Sequence, residues 1–153
     1  MRCFGERERM VIFSTIGGTT RKVAQRVAGR IGDDVLLDAG EALSSPVLRG
    51  VAHVLLFSPT YGDEELEESF ERLLLHYDWE SLKGAGFAFC ELGIYTGYEN
   101  FGHGLDQMVC RTLVDHGLHQ LAPSLSIDAV PITDWMMVDA WSDLILSHPV
   151  IRS

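Results

Sequence analysis

The sequence has few cysteines, and their spacing excludes two common kinds of site. The three cysteines, Cys3, Cys90 and Cys110, are far apart and form no Cys-x-x-Cys pair. An odd number at this spacing predicts neither a disulfide framework nor a zinc site. Cys90 and Cys110 lie in apolar surroundings, so we expect both to be reduced core residues.

Long apolar runs are also missing. The longest, near residues 51–57, is interrupted by His53 and is far shorter than the about 20 residues that a membrane-spanning helix needs. Residues 1–10 are charged and are not followed by a long apolar run, so we expect no signal peptide. These features predict a cytoplasmic protein without a membrane partner.

Positive charge is scarce. The chain has 12 Lys and Arg against 22 Asp and Glu, which gives a formal net charge of −10. A nucleic-acid-binding protein needs a basic face, so nucleic acid is not expected as a partner. The acidic balance favours docking onto basic surfaces of other proteins, because opposite charge speeds their encounter.

What the sequence does have is a regular alternation of apolar strands and amphipathic helices over 153 residues. This length predicts a single domain, 1–153, with a short polar extension at residues 1–8. The alternation predicts a doubly wound α/β fold with a parallel sheet. We expect strands at about 9–14, 35–38, 51–57, 85–91 and 119–128, and helices at about 20–31, 65–76, 104–116 and 134–147, with one short helix within 39–50.

Helical spacing also predicts which side chains are buried. The buried residues are expected to be Val23, Val27 and Ile31 in the first long helix, and Leu66, Phe70, Leu73 and Leu74 in the next. The later helices are expected to bury Leu105, Met108, Val109 and Leu113, and then Val138, Trp141 and Leu144 or Ile145.

The loop after the first strand contains two glycines and three threonines within residues 15–20. Backbone N–H groups, hydroxyls and a helix N-terminus would converge there, an arrangement that favours an anion. The loop lacks the Lys-Ser/Thr ending of a triphosphate P-loop and the glycine spacing of a dinucleotide site. It is interpreted as a phosphate cradle; an ordinary strand-to-helix turn is the alternative.

Two further loops are expected to follow the third and fourth strands. Residues 58–63 place Tyr61 between Pro59 and Gly62, and residues 92–101 are rich in glycine and aromatic residues. Ligands of parallel α/β sheets bind outside the carboxyl ends of the strands, so all three loops should meet at one edge. An anion cradle, aromatic plates and no nucleophile–base pair suit a planar phosphorylated aromatic such as flavin mononucleotide (FMN).

These three segments, in this order, resemble a flavodoxin of the short-chain type. Residues 15–24 are similar to the family's phosphate loop, residues 58–66 to its first flavin loop, and residues 92–101 to its second. The resemblance implies a five-stranded parallel sheet of order 2-1-3-4-5 with helices on both faces. It assigns the cofactor contacts to Thr15, Ile16, Gly17, Gly18, Thr19, Thr20, Ser58, Pro59, Thr60, Tyr61, Gly62, Gly93, Tyr95, Gly97, Tyr98 and Asn100.

Three residues depart from the family pattern. Gly17 replaces the usual threonine of the phosphate loop, Ile94 stands where an aspartate is often found, and Glu91 adds a charge at the end of the fourth strand. The change at Gly17 affects binding of the phosphate, and the change at Ile94 affects the contacts to the pyrimidine edge of the flavin. The resemblance still places Tyr98 on one face of the flavin and Tyr61 on the other face or at its edge.

The resemblance implies a non-enzymatic, low-potential, one-electron carrier with non-covalent FMN that cycles between semiquinone and hydroquinone. It is expected to act as a monomer between a reductase and acceptor enzymes with basic docking surfaces. The acidic run after Gly62 would oppose reduction, because each carboxylate about 10 Å from the ring costs roughly 0.8 kcal/mol at an effective dielectric constant of about 40.

Other interpretations remain open at this point. The chain could be a flavodoxin-fold binding or regulatory module with weakened or lost FMN binding, or an FMN-dependent reductase. A phosphoacceptor receiver is excluded, because Phe13-Ser14 and Phe57-Ser58 stand where its acidic residues belong. The side chains of Arg21 and Lys22 are expected to face solvent.

Overall fold

Short strands and helices alternate along the chain in this computed structural model, which describes residues 9–14, 18–32, 36–44, 50–59, 67–93, 103–128 and 134–148. The elements are β1 (Arg9–Phe13), α1 (Thr19–Ile31), β2 (Leu36–Asp38), α2 (Ala39–Ser44), β3 (His53–Pro59), α3 (Glu68–His76), a 3-10 helix (Trp79–Leu82), β4 (Gly86–Gly93), α4 (His103–Asp115), β5 (His119–Gln120), β6 (Leu125–Asp128) and α5 (Trp135–Ser147).

The strands form one parallel sheet in the order β2-β1-β3-β4-β5, with β6 also paired to β4. This confirms the predicted order 2-1-3-4-5. The central strands β3 and β4 are buried along nearly their whole length. Helices cover both faces of a doubly wound sheet, so central strands need apolar side chains on both sides.

The fifth strand position differs from the prediction. A single strand over 119–128 was expected, but β5 and β6 are separate and residues 121–124 interrupt them. Pro123 within the gap has no N–H group to donate to a sheet. Its carbonyl oxygen instead accepts a hydrogen bond of 2.8 Å from Trp141 Nε1, which ties the interruption to α5.

The core lies in two layers, one on each face of the sheet. One layer packs residues of α2, α3, α4 and the 3-10 helix, and the other packs α1 and α5. The predicted buried residues of α1 are confirmed, as are Phe70, Leu73 and Leu74 of α3, Val109 and Leu113 of α4, and Val138, Trp141 and Ile145 of α5. Leu66 and the side chain of Leu105 lie outside the described part of the chain.

One core prediction on a helix is wrong. Met108 of α4 is 41% exposed, although the next residue, Val109, is fully buried. For α5 either Leu144 or Ile145 was expected to be buried; Ile145 is fully buried and Leu144 is 53% exposed. In both pairs the rotation of about 100° per residue turns the first side chain away from the sheet.

Cys90 and Cys110 are free thiols, as predicted. Cys90 is fully buried, which confirms its prediction as a core residue. Cys110 is only partly buried, so the prediction that it is a core residue is wrong. Among the described residues, no cluster of three or more His, Cys, Asp or Glu could hold a metal ion. None of the helices in this part of the chain has the length and apolar character needed to cross a membrane.

Candidate functional site

The carboxyl ends of β1, β3 and β4 meet at one edge of the sheet. Phe13 pairs with Phe57, and Phe57 pairs with Cys90, so the residues that follow them stand side by side. Ser14 N–H donates to the Phe57 carbonyl oxygen at 2.9 Å, which carries the pairing of β1 one residue further. The edge is therefore built by three strands that end close together.

The strands extend further towards this edge than predicted. Ser58 and Pro59 were assigned to a loop but belong to β3, where they pair with Glu91 and Leu92. Likewise β4 continues to Gly93. The predicted end at residue 57 followed the end of the apolar run, whereas pairing with β4 continues through two polar or turn-forming residues.

A row of four polar side chains crosses the sheet at this level: Ser14, Ser58, Glu91 and Ser126. The first three are fully buried. Ser14 and Ser58 hydroxyls are 3.2 Å apart, and the Ser126 hydroxyl donates to Glu91 Oε1 at 2.6 Å. Side chains of a strand alternate between faces, and these four project towards the layer of α3 and α4.

Sequence reasoning did not identify Ser14 and Ser126 as part of the site. For Ser14 the sequence did contain a signal: a polar residue at the carboxyl end of an apolar strand. Ser14 lies two residues after Ile12, so it shares the face on which Ile12 is buried. For Ser126 the register was needed, since it stands opposite Glu91 only through the pairing of β6 with β4.

The N-terminus of α1 lies beside the end of β1. Gly18 is the N-cap residue of the helix and has a φ of 92°, in the left-handed region. No side chain at this position accepts a hydrogen bond from the first turn. Gly18 therefore supplies the turn that other residues would adopt only with strain. The first turn contains Thr19 and the buried Thr20 and no acidic residue, so the positive end of the helix dipole is not neutralised by its own side chains.

The two basic residues that follow are exposed, as predicted. The Arg21 guanidinium stands over the Phe13 ring at 5.7 Å from its centroid. Lys22 N–H donates to the Gly18 carbonyl oxygen at 3.1 Å, which closes the first turn. The anion-binding capacity of this terminus therefore rests on backbone N–H groups and hydroxyls.

Glu67 begins α3 and connects it to β1. Its side chain accepts hydrogen bonds from Ser69 N–H at 2.9 Å, Phe70 N–H at 3.2 Å and the Ser69 hydroxyl. Partial burial works to raise the pKa of Glu67, but these hydrogen bonds and one with the Ser14 hydroxyl lower the pKa below its ordinary value. The carboxylate is thus held ionised next to the polar row.

Replacing Glu67 with alanine is expected to lower the free energy of unfolding of the apoprotein by about 1 kcal/mol at neutral pH, the usual cost of a lost N-cap. Because the folded pKa is depressed, this stabilisation is present above the unfolded value, near 4.5, and is lost as the pH falls through the folded pKa. Urea unfolding across this range tests the prediction. Glu71→Ala, at an exposed position of the same helix, should change stability by less than about 0.5 kcal/mol.

A loss of stability in Glu67→Ala that stayed the same at every pH would contradict the ionised cap.

The structure brings together six of the predicted site residues: Gly18, Thr19, Thr20, Ser58, Pro59 and Gly93 all lie at this edge. The other ten lie outside the described residues: Thr15, Ile16, Gly17, Thr60, Tyr61, Gly62, Tyr95, Gly97, Tyr98 and Asn100. Their roles remain predictions from the sequence.

The chemical groups in the described part of this edge are suited to binding a ligand and include no activated nucleophile. Cys90 is adjacent in sequence to Glu91, but burial, and then the charge of Glu91, raise the pKa of its thiol well above the ordinary value. A thiol kept protonated is a poor nucleophile. Hydroxyls, a buried carboxylate and a helix N-terminus can instead hold an anionic group and hydrogen-bond to a polar ring edge.

The sheet order and the helices on both of its faces define a flavodoxin-like fold. No family model and no curated protein sequence matches the chain. Many solved structures do match, and flavodoxins are prominent among them.

Three of these solved structures illustrate the likeness. Flavodoxin 2 from Bacillus cereus is 23% identical, with a TM-score of 0.71 over 91% of this chain and 95% of that one. A short-chain flavodoxin associated with a PDU bacterial microcompartment is 15% identical, with a TM-score of 0.74 over 92% and 97%. The Fusobacterium nucleatum flavodoxin bound to FMN is 12% identical, with a TM-score of 0.68 over 90% and 93%. These similarities show the fold.

Proposed function

We propose that this protein is a low-potential electron carrier that binds FMN non-covalently and passes one electron at a time between a reductase and acceptor enzymes. One observation carries the proposal: the N-terminus of α1 and the carboxyl ends of β3 and β4 converge at one edge. The described residues of the three segments that resemble flavodoxin cofactor loops include Gly18, Ser58 and Gly93 at this edge. FMN bound at the edge would supply a ring that accepts and returns single electrons.

The described residues fit the phosphate end of this cofactor. A phosphate needs N–H donors and positive potential, and α1 offers both, with no acidic side chain in its first turn. Gly18, Thr19 and Thr20 would hold the phosphate there, together with the loop of residues 15–17. The structure of a flavodoxin bound to FMN, from Fusobacterium nucleatum, has the same fold.

The ring end of the cofactor would lie beyond the ends of β3 and β4. Ser58, Pro59 and Gly93 would form its floor, because these are the last residues of the two central strands. Tyr61 and Tyr98 would supply the aromatic faces. A flat ring enclosed in this way is shielded from water on both sides, while its edge stays accessible for electron transfer.

The charge distribution supports protein partners with basic docking surfaces. Glu67 caps α3, and Glu68 and Glu71 lie in its first turn; Glu68 is paired with Arg72 at an exposed position. The net charge of −10 gives the whole molecule a negative potential. We further propose that the carrier works as a cytoplasmic monomer and has no nucleic acid partner and no catalytic activity of its own.

The proposal is tested by the purified protein and FMN. The expected result is a yellow protein with one FMN per chain, which is reduced in two separate one-electron steps during an anaerobic titration. An apoprotein that binds no added FMN would overturn the proposal and favour a binding module of the same fold. Steady oxidation of a nicotinamide cofactor without any partner reductase would instead indicate a reductase.

A further inference from the structure

The outward side of α5 is apolar, although a helix at the surface of a protein usually has polar residues there. Four of the seven large apolar side chains that are exposed in the described part of the chain lie on this helix: Trp135, Met136, Met137 and Leu144. Met136 is 84% exposed, so its side chain adds little to the packing of the core. Contiguous apolar surface that folding does not use is typical of an interaction site.

Three of these side chains and one alanine form an apolar stripe along α5. Met136 and Met137 are followed by Ala140 and Leu144 at spacings of three or four residues, so these four exposed residues lie on one side of the helix. The stripe is about 12 Å long. Ala140 leaves room between the longer side chains, and the methionines can adapt their shape to a partner. The apolar stripe therefore fits a second helix, whose side chains pack into such spaces.

α1 lies beside α5 and gives the same side of the molecule positive charge. Of the five α-helices that the structure describes, only α1 lacks an acidic residue, and it contains four basic residues: Arg21, Lys22, Arg26 and Arg30. Core packing and two ion pairs join α1 to α5. Arg26 Nη2 is 2.8 Å from Asp139 Oδ2. Arg30 Nη2 is 2.8 Å from Asp143 Oδ1. The apolar stripe and the basic residues therefore belong to one preformed surface.

The two ion pairs repeat at the same spacing, and the repeat stops at Lys22. Each aspartate stands 113 residues after its arginine. One helical turn earlier the same spacing matches Lys22 with Trp135, which has no charge, and Lys22 has no ion pair among the described residues. Asp134, at this end of α5, caps the helix by accepting from the Met137 N–H at 3.2 Å. Because Arg21 is exposed as well, positive charge is in excess where the apolar stripe begins.

We propose that the surface formed by the apolar stripe, Arg21 and Lys22 binds an amphipathic helix of a partner protein, one with apolar residues along one side and carboxylates flanking them. Burial of the apolar residues supplies the affinity, and carboxylates opposite Arg21 and Lys22 set the orientation. The net charge of −10 does not prevent this, because charges further apart than about 8 Å are largely screened at physiological salt. A second copy of the chain fits less well, since Asp139 and Asp143 are already paired.

This surface is distinct from the acidic one on α3. The two lie on opposite faces of the sheet, because α1 and α5 pack in one core layer and α3 packs in the other. A partner with a basic surface at α3 and the amphipathic helix can therefore bind at the same time. The inference goes beyond the proposed function and does not depend on FMN.

The test is the binding of two synthetic helical peptides to the purified chain at physiological salt, measured by fluorescence anisotropy. Both peptides carry leucines along one side; in one the leucines are flanked by glutamates, and in its twin by lysines. The glutamate peptide is expected to bind at least about tenfold more tightly than the twin. The double variant Met136→Ser with Leu144→Ser should weaken its binding by at least about tenfold, through lost apolar burial. The double variant Arg21→Gln with Lys22→Gln should remove the preference for glutamate.

Leu75→Ser on α3 and Arg111→Gln on α4 are the matched controls, because they change exposed residues elsewhere and should leave the binding of both peptides unaltered. Equal affinity of the two peptides for the wild type, or unchanged binding in the two double variants, overturns the proposal. So does a dimer, or binding to phosphatidylserine vesicles, that the serine double variant abolishes, because the surface then has another occupant. Failure of the wild type to bind FMN would refute only the proposed function.

Discussion

Replacing Trp79 with alanine is expected to lower the free energy of unfolding by about 3–5 kcal/mol, the range for truncating a large buried aromatic residue. Trp79 is 1% exposed and is the largest fully buried side chain described. Its ring packs edge-on against Tyr77, with 4.9 Å between the centroids, and its Nε1 donates to the Leu74 carbonyl oxygen at 3.0 Å. The substitution therefore removes packing and leaves that carbonyl without its donor.

Urea unfolding of the apoprotein, followed by circular dichroism, measures this loss. A loss of this size is a large part of the about 5–15 kcal/mol that stabilises a typical domain. Trp135→Ala is the matched control, since this tryptophan is 37% exposed and packs against the guanidinium of Arg26. The control should cost about 1 kcal/mol or less. Equal losses in the two variants would contradict the assignment of Trp79 to the core.

Replacing Tyr98 with alanine is expected to weaken FMN binding by about 2–3 kcal/mol, which is about 30- to 150-fold in the dissociation constant. The sequence resemblance assigns Tyr98 to one face of the flavin ring, and the prediction follows from the loss of its large contact area and ring stacking. Unlike Trp79→Ala, the change should leave the stability of the apoprotein nearly unaltered.

Fluorescence titration of the apoprotein with FMN measures the affinity. Tyr98→Phe keeps the ring and should bind within about threefold of the wild type, because stacking does not need the hydroxyl. An affinity of Tyr98→Ala within twofold of the wild type would show that another residue covers this face. Together the two substitutions separate cofactor binding from folding.

The sequence predicted the order of elements because each signal is local. Apolar runs of β3 and β4 indicate strands covered on both faces. The periodicity correctly predicted the buried residues of α1 and, on α3, Phe70, Leu73 and Leu74. The glycines and threonines of residues 17–20 indicated the helix N-terminus at the edge of the sheet. Each of these features depends on residues that are close together in the sequence, so it can be predicted without knowledge of the tertiary structure.

The errors occurred where long-range pairing decides the outcome. Composition alone ended β3 at residue 57, but pairing with Glu91 and Leu92 extends it to Pro59. The fifth strand is divided at Pro123, which lacks an N–H group, and the Pro123 carbonyl oxygen accepts a hydrogen bond from Trp141 of α5. Glu91, Leu92 and Trp141 are all distant in sequence from the residues that they contact.

By itself the sequence determined the alternation of strands and helices, the acidic balance and the three segments that resemble cofactor loops. Only the tertiary structure decided that Ser14, Ser58, Glu91 and Ser126 form one buried row. The reason is register: which residues of four separate strands stand side by side is set by hydrogen bonds between strands and by packing of the helices, and no local pattern in the chain records it.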